Sequence, residues 1–456
     1  MTALDIGTLA RRLSPGALVT DPQVIEGYRR DQAAIVPAGH PRAVVRAAGA
    51  GDVSAALAWA SAHRVPVVPR GAGTGLSGGA NAIDGCLVLS LERLTAIREV
   101  NLGSQYAVAE AGVLNADVGR AAAAAGLFYP PDPGSFEIST IGGNLATNAG
   151  GMRCVKYGVT RDSVLGLEAV LADGAVLRTG SGARKNVAGY DLTSLLIGSE
   201  GTLGVITSAT LRLRPLPPRH PVTFAATFTA LPQVGDAVSA IHASGTVPSL
   251  LEFIDNPTIN AIEDYRRMDL DRRAAGLLIG QADSAAADDD VRLMMKCCEE
   301  AGADLVMRAA DAAESDLLLE ARRLAGTAVM ATGPTIIDDV CVPPGQLTRM
   351  LEAVARVSRD SGLTIATTVH AGDGNLHPAL LLPDLSEQTV ARAMAAGELL
   401  CRHAVSFGGT ITGEHGIGAL KQAWLGGQLD PVALAAHRAI KAALDPAGIL
   451  NPGRAF

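Results

Sequence analysis

The stretch VPVVPRGAGTGLSGGANAIDGCLVLSL, residues 65–91, sets five glycines between Gly71 and Gly79 directly after an apolar run. A phosphate loop of the Walker type would need a lysine to close the glycine run, and this run contains none. A dinucleotide fingerprint would need a following helix, whereas turn-forming residues and the strand-like LVLSL follow. The pattern therefore predicts a loop between two strands. Its glycines allow a nest of backbone N–H groups that binds a diphosphate; the alternative is a long turn without a ligand.

Size and composition limit the classes of protein. The length of 456 residues favours two or three domains, and the hydrophobic content of 48% supplies a sizeable core. The net charge is -8 and no basic block stands out, so nucleic acid is disfavoured as a partner. The six cysteines form no Cys-x-x-Cys pair. The N-terminal MTALDIGTLARRLSPG predicts a short amphipathic helix, with neither a signal peptide nor a membrane span. We expect a cytoplasmic protein, with docking to the inner membrane face left open.

Changes of pattern along the sequence predict an α+β protein with two main domains. After an N-terminal helical segment at 1–35, residues 36–217 alternate β-rich runs with Ala-rich helical stretches. In residues 218–408 a β run is repeatedly followed by a helix, which favours an antiparallel sheet with helices on one face. A proline-rich stretch marks the edge between the two domains. Residues 409–456 are expected to form a C-terminal segment that completes the active site.

Two further glycine-rich loops share the character of the first. They span Pro130–Gly151 and Gly198–Thr207, and each combines small residues and backbone donors with few charges. Such loops suit contact with a large, flat, uncharged ring system beside a diphosphate. Together the three segments resemble the FAD-binding domain of the vanillyl-alcohol oxidase and p-cresol methylhydroxylase flavoprotein superfamily. The motif KNVAGYDL at Lys185–Leu192 is similar to that of the branch containing glycolate oxidase and D-lactate dehydrogenase.

The resemblance implies which residues would contact the FAD. In this superfamily the first loop wraps the pyrophosphate, the middle loop lines the ribityl chain and isoalloxazine, and the third meets the adenosine half. Carried over residue by residue, the FAD contacts are Arg70, Gly71, Ala72, Gly73, Thr74, Gly75, Leu76, Ser77, Pro131, Asp132, Gly134, Ser135, Thr140, Gly143, Asn144, Asn148, Gly150, Glu200, Gly204, Val205 and Ile206. No histidine or cysteine lies within Arg70–Ala80, so we expect non-covalent FAD.

Two histidines flank a tight-turn signal in the stretch TIATTVHAGDGNLHPALLL. Asp373-Gly374 suits a two-residue type I′ turn, and counting outward from this turn pairs His370 with His377. Directly opposed residues on one face of an antiparallel pair have Cβ atoms about 4.5–5.5 Å apart, so the two imidazoles can share one divalent ion. The alternative is a pair of stacked surface histidines.

The later stretch GGTITGEHGIGALK places Glu414 and His415 between two glycines, which let the backbone aim the two side chains separately. A carboxylate would complete a His/His/Glu metal set with an open position; the alternative is that both residues cap the next helix. The motifs HAGDGNLHP and TGEHGIG are similar to those of FAD- and metal-dependent 2-hydroxy-acid dehydrogenases. That resemblance implies metal ligation by His370, His377 and Glu414, with zinc ahead of manganese or iron, and a catalytic base at His415.

The same resemblance bears on the substrate. In LLLEARRLAG, Arg322 matches the arginine that binds the substrate carboxylate, a role that suits a bidentate guanidinium, whereas Arg323 reads as a solvated helix charge. The D-2-hydroxyglutarate branch adds a threonine, a lysine and an asparagine for a second carboxylate. This chain has Gly326, Ile337 and Ala379 at those positions. We therefore expect a small D-2-hydroxy acid, with D-lactate ahead of glycolate.

The expected protein is an FAD-dependent 2-hydroxy-acid dehydrogenase. No second dinucleotide motif is visible, so a quinone, an electron-transfer flavoprotein or a partner subunit is expected to accept the electrons, and a homodimer is left open. Three alternatives stay open as well. The chain could be a flavin-bearing subunit of a glycolate oxidase complex that is inactive alone, a member of the alkyl-dihydroxyacetone-phosphate synthase branch, or a flavin-binding protein whose active site has decayed.

Overall fold

The computed structural model describes residues 6–455; the first five positions of the predicted N-terminal helix lie outside the described residues. In chain order the strands are β1 (Leu18–Val19), β2 (Ala43–Arg46), β3 (Val67–Arg70), β4 (Leu87–Ser90), β5 (Ile97–Asn101), β6 (Tyr106–Glu110), β7 (Leu127–Phe128), β8 (Val164–Val170), β9 (Val176–Gly180), β10 (Val205–Arg212), β11 (Arg214–Pro215), β12 (Val222–Phe228), β13 (Leu250–Asp255), β14 (Gly276–Ala282), β15 (Leu305–Arg308), β16 (Thr335–Ile337), β17 (Val340–Cys341), β18 (Ile365–His370) and β19 (Asn375–Leu381). The α-helices are α1 (Gly7–Ala10), α2 (Pro22–Glu26), α3 (Ala50–His63), α4 (Asn115–Ala124), α5 (Ile141–Thr147), α6 (Cys154–Tyr157), α7 (Leu192–Leu196), α8 (Leu231–Ala243), α9 (Asn256–Tyr265), α10 (Ala287–Glu300), α11 (Ala312–Ala331), α12 (Leu347–Ser361), α13 (Glu387–Ser406) and α14 (Pro431–Leu444).

The described chain forms two compact units, each built from separated stretches of sequence. The first unit runs to Gly150 and continues with Val159–Leu216 and with the segment from Glu414 onward. The second unit comprises Gly151–Gly158 and Pro217–Gly413. None of the six cysteines, all of which are described, forms a disulfide. Within residues 6–455 no helix is long and apolar enough to span a bilayer.

The first unit contains two main sheets. In one, the strand order is β1-β2-β4-β3, and both β2 and β3 run parallel to β4. Parallel neighbours need a crossover of roughly a dozen residues or more, and the glycine-rich stretch Gly71–Cys86 provides it without a helix. The predicted loop between two strands is therefore confirmed. The other sheet is antiparallel, in the order β5-β6-β10-β8-β9.

The end of the chain completes the first of these sheets. The Val67 N–H of β3 donates to the carbonyl of Ile449 at 2.8 Å, and the Asn451 N–H donates to the carbonyl of Val67 at 2.8 Å. Lys441 of α14 donates to the carbonyls of Thr202 and Leu450, both at 2.7 Å. These bonds explain why the segment after Glu414 belongs to the same unit as the glycine-rich loop.

The second unit is built on one antiparallel sheet, as predicted, in the order β15-β12-β14-β13-β18-β19-β16. The expectation of helices on one face is wrong. Helices α9 and α11 cover the face that carries Ile254 and Ile279, where Ala325 also packs. The opposite face, which carries Phe224 and Leu278, is buried as well, and α8 and α10 contact β12 and β14. Strands covered on both faces lack polar alternation, which explains the apolar run of the first five residues of β14, GLLIG.

Strands β18 and β19 form the predicted hairpin with a different register. The prediction of a two-residue turn with His370 opposite His377 is wrong, because the loop is Ala371–Gly374 and His370 lies opposite Asn375. The N–H of Gly372 donates to a carbonyl of β13, so a neighbouring strand helps to shape the loop. A shift by two residues keeps each side chain on its face. The two histidines are therefore diagonal neighbours on a shared face.

A buried carboxylate in the second unit gives a pH-dependent stability. Asp255 accepts hydrogen bonds from Thr258 and Thr367, yet burial raises its pKa from 3.8 to about 6. Between pH 3.8 and about 6 the folded state holds a proton on Asp255 that the unfolded state has lost. The resulting contribution to stability is full below pH 3.8 and disappears as the pH rises through about 6. We expect the free energy of unfolding of the wild type, relative to Asp255→Asn, to fall by about 1 kcal/mol between pH 5 and pH 7.5. Urea unfolding at both pH values tests this, and a constant difference would contradict it.

Candidate active site

Four buried polar side chains share one face of the second unit's sheet. In the ladder Glu252 lies opposite His370, His370 lies opposite Asn375, and His377 follows two residues along β19. Because side chains alternate along a strand, all four project from the face on which α9 and α11 pack. Each is 8% exposed or less. The rings of His370 and His377 meet edge to face with centroids 5.0 Å apart, so the predicted pair of histidines is brought together.

Glu252 has two partners in this site. Its Oε2 accepts a hydrogen bond from Nε of Arg322 on α11 at 2.7 Å. Nδ1 of His370 lies 2.8 Å from Oε1 and 3.0 Å from Oε2. Histidines that bind metals usually donate their other ring N–H to a carboxylate. Nε2 of His370 is therefore the nitrogen suited to a metal ion, and the sequence-predicted Arg322 is held beside it; Arg323 is exposed.

Asp339 organises the other half of this face. Its Oδ1 accepts a hydrogen bond from Nδ2 of Asn375 at 2.9 Å and lies 3.6 Å from Nδ1 of His377. Its Oδ2 accepts the backbone N–H of Gly413 at 2.7 Å. The residue that precedes Glu414 in the chain is thus anchored to the carboxylate that also neighbours His377.

The backbone at Gly413 leaves no room for a side chain. A Cβ at this position would overlap with Oδ1 of Asn375, and Asn375 cannot turn away without losing its hydrogen bond to Asp339. We expect Gly413→Ala to lower the free energy of unfolding by about 1–3 kcal/mol, measured by denaturant unfolding. Gly345→Ala is the matched control in the same unit, because its Cβ would meet no atom within 4 Å. Equal stability of the two variants would contradict this packing.

Glu414 and His415, the predicted third ligand and base, belong to the first unit. A Cβ on Gly150 would lie 2.5 Å from Oε2 of Glu414, so this carboxylate packs directly on a glycine backbone. The hydroxyl of Ser77 donates to the carbonyl of His415 at 2.7 Å. Gly150 and Ser77 are both residues that the resemblance assigns to FAD. The predicted catalytic segment and two of the predicted cofactor loops therefore meet within one unit.

Glu200, a residue of the third predicted FAD loop, also holds this segment. Its two carboxylate oxygens accept the backbone N–H groups of Ile417 and Gly418 at 2.8 and 2.7 Å. Burial raises the pKa of Glu200 to about 6, against the lowering effect of those two N–H donors. The backbone of Glu200 is in the left-handed region, with φ of 52°. The side chain thus fixes the turn that follows His415.

The glycine-rich loop has the features of an anion cradle. The guanidinium of Arg70 is buried where β3 ends, and its Nη1 has no hydrogen-bond partner among the described residues. A Cβ on Gly73, whose φ is 74°, would overlap with this guanidinium. A buried guanidinium with an unused N–H donor, next to glycine backbone without side chains, suits a diphosphate.

All the residues predicted to contact FAD lie in the first unit. Among them are Thr140, whose side chain caps helix α5, and Asn148, at which that helix ends.

Two family models match the chain. Residues 217–455 match the family model described as "FAD linked oxidases, C-terminal domain", and residues 41–180 match the one described as "FAD binding domain". The chain belongs to the FAD-linked oxidase family. Like other members of this family it is an FAD-dependent oxidoreductase, so the expectation of a flavoprotein enzyme is confirmed.

Relatives within the FAD-linked oxidase family cover almost the whole chain. The glycolate oxidase subunit GlcD of Bacillus subtilis is 41% identical over 419 residues, which are 91% of this chain and 89% of that protein. A D-lactate dehydrogenase of Archaeoglobus fulgidus is 36% identical over 439 residues, 94% of this chain and 95% of that protein. The structure of p-cresol methylhydroxylase with substrate bound superposes with a TM-score of 0.79 at 18% identity, covering 98% and 95% of the two chains. The predicted fold class is confirmed.

Two residues of the site were not predicted from the sequence. Glu252 stands in the run LLEFID and Asp339 in the run TIIDDVC, and both are almost completely buried. A carboxylate within an apolar run is a signal in itself, because a buried charge is stable only with partners. The partners could not be named from the sequence, since they come from other strands and from α11.

Proposed function

We propose that the protein oxidises a small D-2-hydroxy acid to the 2-oxo acid, with D-lactate ahead of glycolate, using FAD and one divalent metal ion. The observation that carries the proposal is the carboxylate of Glu252, which holds Arg322 and His370 on one face of the sheet. An arginine beside a metal-type histidine suits a substrate with a carboxylate next to a hydroxyl. Relatives named as a glycolate oxidase subunit and a D-lactate dehydrogenase support this substrate class.

The chain's own residues divide the chemistry between them. Arg322 binds the substrate carboxylate through its two Nη groups. His415 takes the hydroxyl proton on a ring nitrogen, a role that suits imidazole because it exchanges protons near neutral pH. His370, His377 and Glu414 would hold the metal, with zinc ahead of manganese or iron, and such an ion supplies Lewis acidity toward the hydroxyl oxygen. The glycine-rich loops would hold FAD non-covalently, and FAD would supply the acceptor for the Cα hydride.

The residues around the arginine favour a small substrate. Gly326 follows Arg322 by one helical turn on α11, and Ile337 lies opposite Ala379 in the sheet. Ala379 is two residues beyond His377 and shares its face. None of these three side chains can bind a second carboxylate. We therefore propose a monocarboxylate in preference to a longer diacid.

The electrons would pass from the flavin to a quinone, an electron-transfer flavoprotein or a partner subunit. A second candidate function is that of a flavin-bearing subunit of a glycolate oxidase complex, inactive without its partners. The relative named as a glycolate oxidase subunit supports this second candidate. Turnover of the purified chain with an artificial dye acceptor separates the two, because an isolated subunit of this kind would not turn over.

The visible spectrum of the purified protein tests the proposed function directly. Under anaerobic conditions, D-lactate should bleach the flavin bands within the mixing time of a manual experiment, and glycolate should bleach them more slowly. L-lactate and D-2-hydroxyglutarate are the comparison substrates. Protein without bound flavin, or a clear preference for the diacid, would contradict the proposal.

A further inference from the structure

Glu252 touches neither the substrate nor the reacting atoms in the proposed function, yet it joins the two groups that do. We propose that Glu252 is a positioning residue that couples binding of the substrate carboxylate at Arg322 to binding of the substrate hydroxyl beside His370. This inference rests on the proposed function, and it adds Glu252 as the residue that sets the positions of Arg322 and His370. It predicts that a single change at Glu252 weakens both kinds of binding together.

The contact geometry makes the coupling direct. Oε2 of Glu252 accepts from Arg322 Nε at 2.7 Å and lies 3.0 Å from Nδ1 of His370, so both nitrogens are within hydrogen-bond distance of one oxygen atom. The side chain of Glu252 is 1% exposed, so it is shielded from bulk solvent. A movement of either partner therefore changes the hydrogen bond of the other.

The hydrogen bonds of Glu252 bear on the tautomer of His370. Oε2 of Glu252 accepts the Nε–H of Arg322 at 2.7 Å, and the same oxygen offers an acceptor to Nδ1 of His370 at 3.0 Å. Nδ1 of His370 must then carry the hydrogen, which leaves the lone pair on Nε2. That is the form of imidazole that binds a metal ion.

The same bond determines the direction of Arg322. With Nε donated to Glu252, the guanidinium plane is fixed while its two Nη groups remain for an anion. Arg322 makes no other hydrogen bond to a described residue, and its side chain is 12% exposed. Neutralising Glu252 would release this plane and remove the two-point fit to a carboxylate.

Three separate elements meet at this one side chain. Glu252 on β13 lies directly opposite His370 on β18, and Arg322 reaches it from α11. The strand pairing places only the backbone of His370, and helix α11 places only the backbone of Arg322. Glu252 is the side chain that links the helix to the ladder at the site, which is why we assign the coupling to it.

The test compares Glu252→Gln with the wild type in the FAD-loaded full-length protein. A glutamine has one acceptor oxygen and one NH₂ donor. It can therefore accept a hydrogen bond from Arg322 or from His370, and its NH₂ group meets the other donor without forming a bond. We expect the dissociation constant for Zn²⁺, measured by competition with a chromogenic chelator, to rise by about 10–100-fold. We expect the KM for D-lactate to rise at least about tenfold in the same protein, with the flavin spectrum unchanged. Glu252→Asp keeps the charge and should restore part of both quantities.

Glu263→Gln is the matched control. Glu263 is a buried glutamate of α9 in the same unit, and it accepts backbone N–H groups of Met268 and Leu270. This variant should keep the wild-type zinc affinity and KM. A Glu252→Gln protein that shifts only one of the two quantities, or neither, overturns the coupling. If Glu252→Gln does not fold, Glu252→Asp is measured against the same criterion, with a smaller shift in both quantities expected. A wild type that oxidises no 2-hydroxy acid would instead remove the proposed function.

Discussion

A His415→Gln variant is expected to lose about 10²–10⁴-fold in kcat, the usual contribution of a positioned general base. The loss should be confined to the chemical step. The bond from Ser77 reaches the backbone carbonyl of His415 and not its ring, so this bond is kept when the imidazole is replaced. Stopped-flow measurement of flavin reduction by D-lactate would report the step directly.

Flavin content and stability separate this effect from a folding defect. The variant should keep its flavin spectrum and its thermal unfolding midpoint, because Glu200 and Ser77 hold the segment through backbone groups. His242→Gln, at an exposed position of α8, is a control that should keep the wild-type rate. A His415→Gln protein that reduces its flavin at the wild-type rate at neutral pH would show that another group takes the proton.

Replacing His377, a proposed ligand, by alanine is expected to remove the divalent ion proposed at this site and to lower the activity at least about a hundredfold, since a lost ligand removes several kcal/mol of charge stabilisation. Elemental analysis of the purified variant measures the first effect, and turnover with D-lactate measures the second. Dialysis of the wild type against a chelator should reproduce the loss of activity, and added zinc or manganese should reverse it only in the wild type.

Asp339→Asn gives a graded comparison for the same site. Asp339 would act through His377, from which it lies 3.6 Å away, and a change of this kind costs about 10–100-fold in metal affinity. The asparagine variant should therefore bind metal more weakly than the wild type but better than His377→Ala. Full activity of metal-free wild-type protein would contradict the metal assignment for both residues.

Much of the fold could be predicted because it depends on local patterns. The apolar spacing and early Asp52 of helix α3, the strands around the glycine-rich loop and the β-then-helix alternation of the second unit are all present where the sequence indicates them. The shared face of His370 and His377 could be predicted despite the wrong register. Side chains alternate with a period of two, so an error of two residues in pairing leaves the face unchanged.

The remaining features depend on contacts between distant parts of the chain. The loop after His370 has four residues because Gly372 bonds to β13 and Gly374 packs tightly on the carbonyl of Val342, and neither neighbour is visible in the local sequence. Glu252 and Asp339 acquire their partners only when the strands pair. The sequence did not predict that helices cover both faces of the sheet. A uniformly apolar strand has the same sequence pattern whether helices pack on one face or on both.

The return of the last segment to β3 has a consequence for biosynthesis. All residues of the second unit have been synthesised once Gly413 has left the ribosome. The N–H and carbonyl of Val67 gain their hydrogen-bond partners only when Ile449 and Asn451 have been synthesised. At about 5–20 residues per second, that strand edge stays unpaired for tens of seconds in every nascent chain. Unpaired edges are templates for aggregation, so the coenzyme-binding half is the part of this protein that is more exposed to aggregation during translation.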